Sequence, residues 1–122
     1  MNTPNLFLLY VEDPPSSAAF YETLFGRPPT AAFPTYAAFT FEGGMTVGLW
    51  STSARDFVSA GTGHRSELSF MVADTEKVMQ LYERWRQAGV TIEQAPHEAV
   101  FGLTFVAFDP DGHRIRVCMP DK

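Results

Sequence analysis

The feature that most constrains this chain is an internal repeat whose offset is half the chain length. Three matched pairs stand 61 positions apart in the 122-residue sequence: Leu6 with Glu67, Asp13 with Asp74, and Tyr21 with Tyr82. A constant offset of this kind indicates a duplicated structural unit. We therefore predict a single domain over residues 1–122, made of pseudo-repeats at about 5–50 and 66–119 that are joined by a linker at 51–65.

Each repeat is predicted to begin with a strand that leads through an aspartate cap into a helix, which a glycine then ends. In the first repeat these features are strand Leu6–Val11, Asp13, a helix to about Phe25, and Gly26. In the second repeat they are strand 67–72, Asp74, a helix to about Ala88, and Gly89. Helical spacing places Trp85 in the buried stripe of the second helix.

Apolar segments separated by turn residues follow each helix and are typical of antiparallel hairpins. These predicted strands are 36–41 and 45–50 in the first repeat, and 103–108 and 113–118 in the second. A shorter strand is predicted before each hairpin, at 29–33 and at 91–93. The pattern predicts an α+β fold of two βαβββ units, in which two helices cover one side of an open, curved mixed sheet that forms a cup.

Composition and charge exclude several classes of protein. Nine basic and 14 acidic residues give a net charge of −5, which argues against nucleic acid or an anionic membrane as a partner. The longest apolar run, Leu6–Val11, is far shorter than the ~20 residues of a membrane helix. The N-terminus lacks the pattern of a secretory signal, so we expect a cytoplasmic protein. The single cysteine, Cys118, excludes an internal disulfide and a multi-cysteine metal site.

Strand alternation divides the predicted sheet residues between two faces. One parity is almost wholly apolar and suits the face under the helices. The other mixes aromatic, glycine, carboxylate and guanidinium residues: Leu6, Leu8, Tyr10, Thr46, Gly48, Trp50, Glu67, Ser69, Met71, Arg114, Arg116 and Cys118. Such a mixture fits a ligand-binding cup, and it equally fits a solvated outer face.

Two motifs carry a resemblance to a known superfamily. The segment from Leu8 to Gly26, LLYVEDPPSSAAFYETLFG, resembles the opening of the vicinal oxygen chelate superfamily, and Phe105–His113, FVAFDPDGH, resembles its closing hairpin. That superfamily includes glyoxalase I, extradiol dioxygenases, fosfomycin-resistance enzymes and bleomycin-binding proteins. The resemblance covers about residues 5–119 and implies paired βαβββ units that form a cup, with a homodimer as the usual assembly.

The resemblance also locates the positions where metal enzymes of the superfamily place their ligands. In this chain those positions hold Leu6, Gly48, Glu67 and Arg116, of which only Glu67 could ligate a metal. A catalytic metal normally needs about three protein ligands, so we expect no metal and no other cofactor. We predict instead that Glu67 pairs with Arg116, since a buried lone charge costs several kcal/mol. The pair could anchor a ligand or merely tie two strands together.

Segments Gly48–Ser51, 100–105 and 116–118 narrow the resemblance to members that bind a planar, phenazine-like antibiotic without a metal and without degrading it. The implied function is sequestration of a small aromatic ligand. The candidate ligand-binding residues are Trp50 and Tyr36 for stacking, Glu67 and Arg116 for polar substituents, Phe101 for the wall, and Gly48 as a small residue on the cup face. Packing in the core is the alternative role for Trp50 and Tyr36.

Three rival functions stay open at this point. They are a metal-dependent lyase or dioxygenase, a metal-free drug-modifying enzyme, and a scaffold domain with a vestigial cup. His64 and His97 are predicted in loops, and His113 at the start of the last strand, without the spacing of a metal site. Cys118 is predicted to be an inert buried thiol, and the segment 51–65 to be a flap that borders the pocket.

Overall fold

A computed structural model describes residues 4–54 and 66–119 and confirms the α+β fold of two βαβββ units. The chain divides into two compact units, residues 1–61 and 62–122. The first contains β1 (Leu6–Val11), α1 (Pro14–Phe25), β2 (Ala31–Phe33), β3 (Tyr36–Thr40) and β4 (Thr46–Ser51). The second contains β5 (Leu68–Met71), α2 (Thr75–Gln87), β6 (Thr91–Ala99), β7 (Gly102–Phe108) and β8 (Arg114–Cys118). The single domain over 1–122 stays a prediction, and most of the predicted flap lies outside the described residues.

The two sheets share one topology, with strand orders β1-β4-β3-β2 and β5-β8-β7-β6. Each has one parallel pair, β1 with β4 or β5 with β8, and its remaining pairs are antiparallel. The registers place Leu8 beside Gly48 and Ser69 beside Arg116. Because Leu8 and Ser69 are related by the repeat offset, Gly48 and Arg116 occupy equivalent positions in their sheets.

The apolar face of each sheet packs against its own helix, as the strand alternation predicts. In the first unit Tyr21, Phe39 and Leu49 are fully buried. In the second unit the Trp85 ring lies 5.4 Å from that of Phe70 and 5.5 Å from that of Phe105, measured between centroids, and Trp85 is 1% exposed. The predicted core role of Trp85 is therefore confirmed. Among the described residues, no helix has both the length and the apolarity to cross a membrane.

The helix ends follow the predicted residues, with one difference at the first cap. Gly26 ends α1 in the left-handed conformation, with φ 72°, and the Asp74 carboxylate accepts the Lys77 amide at 2.9 Å. Asp13 precedes α1, but its side chain caps no backbone amide and instead accepts the Ser16 hydroxyl at 2.7 Å. The prolines at the first two helical positions lack amide hydrogens, so Asp13 has fewer donors to cap.

The strand predicted at 91–93 was too short, because β6 extends over nine residues to Ala99. His97, predicted in a loop, lies in this strand and pairs with Thr104. β6 continues through Pro96, at the edge of its sheet, and its register shifts between Gln94 and His97. A proline is tolerated at an edge or irregularity of this kind, where the ladder does not need its amide.

Candidate ligand-binding faces

The sheet surface opposite α1 carries a row of aromatic side chains. We call this surface the first open face; its members are Leu6, Leu8, Tyr10, Tyr36, Gly48 and Trp50. Trp50 is half-buried and lies between its register partners Tyr10 and Tyr36, which come from the strands on either side. The Tyr10 and Trp50 ring centroids are 6.3 Å apart, with an angle of 62° between the planes. Tyr10 is 41% exposed, so this row offers aromatic surface to a ligand.

Gly48 allows neighbouring side chains to lie directly on the sheet. A Cβ atom at this position would stand 2.8 Å from the Tyr36 hydroxyl oxygen and 2.9 Å from the Leu8 Cδ1 atom. Both distances are shorter than real contacts of a Cβ atom, so any larger residue would displace Tyr36 or Leu8. Gly48 thus leaves room for Tyr36 to lie across the middle of the first open face.

An acid–guanidinium pair lies on the sheet surface opposite α2. We call this surface the second open face; its members are Glu67, Ser69, Met71, Thr104, Arg114, Arg116 and Cys118. The Arg116 Nε atom donates to Glu67 Oε1 at 2.7 Å, and its Nη2 atom donates to Oε2 at 3.0 Å. The side chains are 20% and 30% exposed, respectively. The predicted pairing of Glu67 with Arg116 is confirmed, and it is the strong, bidentate kind.

Two further contacts fix Arg116 in place. Its Nη1 atom donates to the Thr104 hydroxyl oxygen at 3.1 Å, and that hydroxyl donates to the Val117 carbonyl oxygen at 2.7 Å. The guanidinium carbon lies 5.5 Å from the centroid of the Phe101 ring, within range of a cation–π interaction. Thr104 was missed by sequence reasoning, although it is the only hydroxyl residue in the otherwise apolar segment Leu103–Phe108.

The electrostatics of the pair favour its charged form. Hydrogen bonds from Arg116 lower the pKa of Glu67, and this effect outweighs desolvation, which acts in the opposite direction. The positive charges of Arg116 and Arg114 lower the Glu67 pKa further. In turn, the hydrogen bonds to Glu67 raise the pKa of Arg116. Both groups are therefore ionised at neutral pH.

This pair lines one side of an open hollow of about 400 Å³ in the second unit. Its lining is Glu67, Met71, Phe101, Arg116, Cys118 and Met119. Thioether and aromatic groups are polarisable, and methionine adapts to the shape of a bound ring. Cys118 is 9% exposed, which agrees with its prediction as a buried thiol. Met71 and Met119 were not among the candidate residues, because a methionine near a strand end has the same pattern as a packing residue.

The six sequence candidates thus fall into two groups of three. Tyr36, Gly48 and Trp50 meet on the first open face, while Glu67, Phe101 and Arg116 meet at the hollow of the second unit. Tyr10 and Leu8 join the first group through their register with β4. His64 lies outside the described residues.

The residues present do not fit the divalent metal of related enzymes. Leu6 and Gly48 offer no side-chain donor, and both carboxylate oxygens of Glu67 accept hydrogen bonds from the Arg116 cation. Within residues 4–54 and 66–119, no three His, Cys, Asp or Glu side chains are grouped as a metal site would need. The expectation that the protein works without a cofactor stays a prediction.

Comparison with known proteins identifies the family. The sequence model of the Glyoxalase/Bleomycin resistance protein/Dioxygenase superfamily matches residues 3–117. The chain is 35% identical to the phenazine antibiotic resistance protein EhpR of Enterobacter agglomerans, over 98% of this chain and 93% of that protein. It is 34% identical to the glutathione transferase FosA of Serratia marcescens, over 93% of this chain and 77% of that protein. Protein ATC0852 of Agrobacterium tumefaciens, solved by NMR, is 37% identical with a TM-score of 0.85, and the match covers 100% of both chains. The resemblance read from the opening and closing motifs is confirmed: this chain belongs to the glyoxalase/bleomycin resistance protein/dioxygenase superfamily.

Proposed function

We propose that this protein binds a planar aromatic antibiotic of the phenazine type and confers resistance by lowering the concentration of free drug in the cytoplasm. The observation that carries the proposal is the row of Tyr10, Trp50 and Tyr36 on the first open face, beside Gly48. The similarity to EhpR supports phenazines as the class of ligand. Sequestration needs protein in amounts comparable with the drug, but it needs no chemical step.

Stacking is the contribution that we assign to the first open face. Trp50 offers a broad and rigid plane, and Tyr10 and Tyr36 extend the apolar surface on both sides of it. Offset-stacked and edge-to-face contacts with a flat heteroaromatic ring are each favourable beyond the area that they bury. A phenazine is rigid, so it loses little conformational entropy when it binds to such a surface.

A second and separate binding surface that we propose is the hollow of the second unit, which suits a ligand with polar substituents. Phe101, Met71 and Met119 supply apolar and polarisable contacts, while Glu67 and Arg116 present a charged edge to polar substituents. The bidentate geometry holds that edge in one orientation, which a specific site requires. We also propose a homodimer, since the exposed apolar residues Leu6, Phe33 and Val100 would gain from burial against a second copy.

A titration of the purified protein with phenazine, followed by tryptophan emission and by calorimetry, tests the proposal. We expect Trp50→Ala to weaken binding by about tenfold and to remove the quenching, since loss of one stacking partner costs 1.4 kcal/mol or more. Trp50→Phe should keep part of the affinity because it keeps an aromatic plane. Met79→Ala, an exposed change on α2, is the control and should bind like the parent protein. Phenazine binding that is absent, or unaffected by Trp50→Ala, would overturn the proposal.

The similarity to the glutathione transferase FosA favours one alternative, an enzyme that modifies its ligand. Incubation of the protein with phenazine, glutathione and a divalent cation, analysed by mass spectrometry, separates the two functions. Sequestration predicts that the compound is recovered unchanged and in proportion to the protein added. Accumulation of a conjugate over many turnovers would establish the enzyme instead.

A further inference from the structure

The hollow of the second unit has few strong hydrogen-bonding partners for a ligand. Its lining side chains are those of Glu67, Met71, Phe101, Arg116, Cys118 and Met119. A thioether is a weak acceptor, a thiol is a weak donor, and phenylalanine has no polar atom. A polar group on a ligand that enters the hollow therefore has two strong side-chain partners there, the Glu67 carboxylate and the Arg116 guanidinium.

The hydrogen bonds of Arg116 are already directed within the protein. Each of its three nitrogen atoms donates once, Nε and Nη2 to Glu67 and Nη1 to the Thr104 hydroxyl. The guanidinium carbon also lies over the Phe101 ring, 5.5 Å from its centroid. The side chain is only 20% exposed. An acceptor on the ligand would thus meet a cation that is paired along its edge and covered by an aromatic ring.

Glu67, in contrast, keeps unused acceptor capacity. A carboxylate has about four lone pairs, and the hydrogen bonds from Arg116 use one on each oxygen. Its side chain is 30% exposed, more than that of Arg116, and it lines the hollow. Because Arg116 lowers the pKa of Glu67, the carboxylate stays charged, and a charged acceptor forms the stronger kind of hydrogen bond. A donor on the ligand can therefore bond Glu67 without displacing Arg116.

A carboxylate on the ligand would be repelled at the same place. Two acceptors that bond one nitrogen atom at about 2.9 Å lie roughly 5 Å from each other. A ligand carboxylate that bonds Arg116 Nη2 would therefore lie near Glu67 Oε2, and like charges at this separation disfavour each other. The net charge of −5 on the chain acts in the same direction at longer range. A neutral donor meets neither repulsion.

We propose that the hollow of the second unit selects planar aromatic compounds that carry a neutral hydrogen-bond donor, an aromatic amine or a phenol, with the Glu67 carboxylate as the acceptor. This inference rests on the proposed function and adds the class of ligand substituent to it. Glu67 determines the specificity, Arg116 holds the carboxylate in position, and Met71, Phe101 and Met119 contact the ring.

Three probes with one ring system test the inference: 2-aminophenazine, 2-methylphenazine and phenazine-2-carboxylate. The amino and methyl groups are nearly equal in size, so this pair isolates the hydrogen bond. NMR of isotope-labelled methionine methyl groups in the full chain reports binding in the hollow through Met71 and Met119, with Met79 on α2 as the reference. We expect the amine to bind about tenfold more tightly than the methyl compound, and the carboxylate to bind more weakly than the amine.

Glu67→Gln should shift the affinities of two probes in opposite directions. The amine should lose most of its preference over the methyl compound, because an amide oxygen is a weaker acceptor than a carboxylate. The carboxylate probe should bind more tightly, because Arg116 no longer has a competing anion. Glu93→Gln is the matched control, since Glu93 is paired with Arg114 at 3.0 Å in the same sheet but does not line the hollow. It should leave the order of the three probes unchanged.

The parent protein alone can overturn this inference, so the test does not depend on the folding of a variant. Equal affinity of the amine and the methyl compound for the hollow, or tighter binding of the carboxylate, would contradict it. So would unchanged Met71 and Met119 signals with all three probes, or an unchanged amine preference in Glu67→Gln. Quenching of tryptophan emission would in each case still support the proposed function. Probes that neither quench this emission nor shift a methyl signal would overturn both.

Discussion

The two open faces have the same backbone framework but opposite chemistry. Gly48 and Arg116 occupy equivalent positions, and the registers of β3 and β7 make Tyr36 and Thr104 equivalent as well. In the first unit the large tyrosine reaches over a glycine, and in the second a small threonine meets a large arginine. In both units a large side chain on one strand therefore faces a small residue on the neighbouring strand, and the space between them is filled. Close packing requires complementary sizes rather than particular residue types.

The next register pair also differs in chemistry between the two units. Tyr10 pairs with Trp50 in the first unit, where the second unit pairs Met71 with Cys118. The first open face is therefore aromatic and uncharged, while the second combines ion pairs with sulfur-containing side chains. We infer that duplication supplied two similar frames, and that divergence of a few facing residues produced one surface suited to stacking and one suited to polar recognition.

Arg116→Met is the change with the largest expected effect on stability. It leaves the Glu67 carboxylate, which is only 30% exposed, without its bidentate partner, and we expect a loss of roughly 2 to 3 kcal/mol in the free energy of unfolding. Urea denaturation measures this loss. Arg86→Met removes an arginine from the exposed pair with Glu83 and should have no measurable effect. Equal losses in the two variants would show that the Arg116 pair is no stronger than a surface ion pair.

Gly48→Ala tests whether the space above Gly48 in the first unit is already filled by Tyr36 and Leu8. The added Cβ atom must displace the Tyr36 hydroxyl and the Leu8 Cδ1 atom, which are both at the ends of side chains, so we expect a cost of only about 1 kcal/mol, at the low end for overpacking. A double-mutant cycle with Tyr36→Ala measures the coupling directly. If the conflict is with Tyr36, the two changes together should cost less than the sum of their separate effects. Simple additivity would contradict the packing argument.

Thr104→Val and Tyr36→Phe remove one hydroxyl from equivalent positions of the two faces. Thr104 is fully buried and its hydroxyl bonds both Arg116 and the Val117 carbonyl, so its loss should destabilise the fold by about 1 kcal/mol. Tyr36 contributes mainly its ring, and Tyr36→Phe should stay within about 0.5 kcal/mol of the parent. Thermal unfolding of both variants provides the comparison. A larger loss for Tyr36→Phe would reverse the assignment of polar and apolar faces.

The smallest expected effect is the pH dependence that Glu67 adds to the stability of the second unit. The Glu67 pKa is lower in the folded protein than its ordinary value of 4.5, because Arg116 donates hydrogen bonds to the carboxylate. The folded state therefore gains stability from Glu67 above that value, and the gain is lost as the pH falls through the folded-state pKa. Glu67→Gln should flatten the acid side of a plot of melting temperature against pH, because it removes this titrating carboxylate. An unchanged slope in Glu67→Gln would contradict the ionised pair.

Much of this architecture could be predicted because it depends on local patterns. The alternation of apolar residues along β8 predicted that Ile115 and Val117 would be buried. The ligand positions implied by the resemblance, together with the cost of a buried lone charge, predicted that Glu67 and Arg116 would pair. The length of β6 was predicted wrongly, because the predicted strand ended at residue 93, whereas β6 continues through Pro96 to Ala99 at the edge of its sheet. Thr104 was missed since its two hydrogen bonds lie across β8, which the pattern of its own strand does not reveal.

By itself, the sequence determined the order of the helices and strands, the face on which residues of the first and last strand of each unit lie, and the superfamily, since these follow from periodicity and motifs within short segments. Only the tertiary structure decided which side chains from separate strands touch: Tyr36 over Gly48, Thr104 against Arg116, and Glu93 beside an Arg114 whose Nε atom has no acceptor. The physical reason is register. The pairing of strands that are far apart in the chain depends on inter-strand hydrogen bonds, bulges and the packing of the whole sheet, and local periodicity contains none of these.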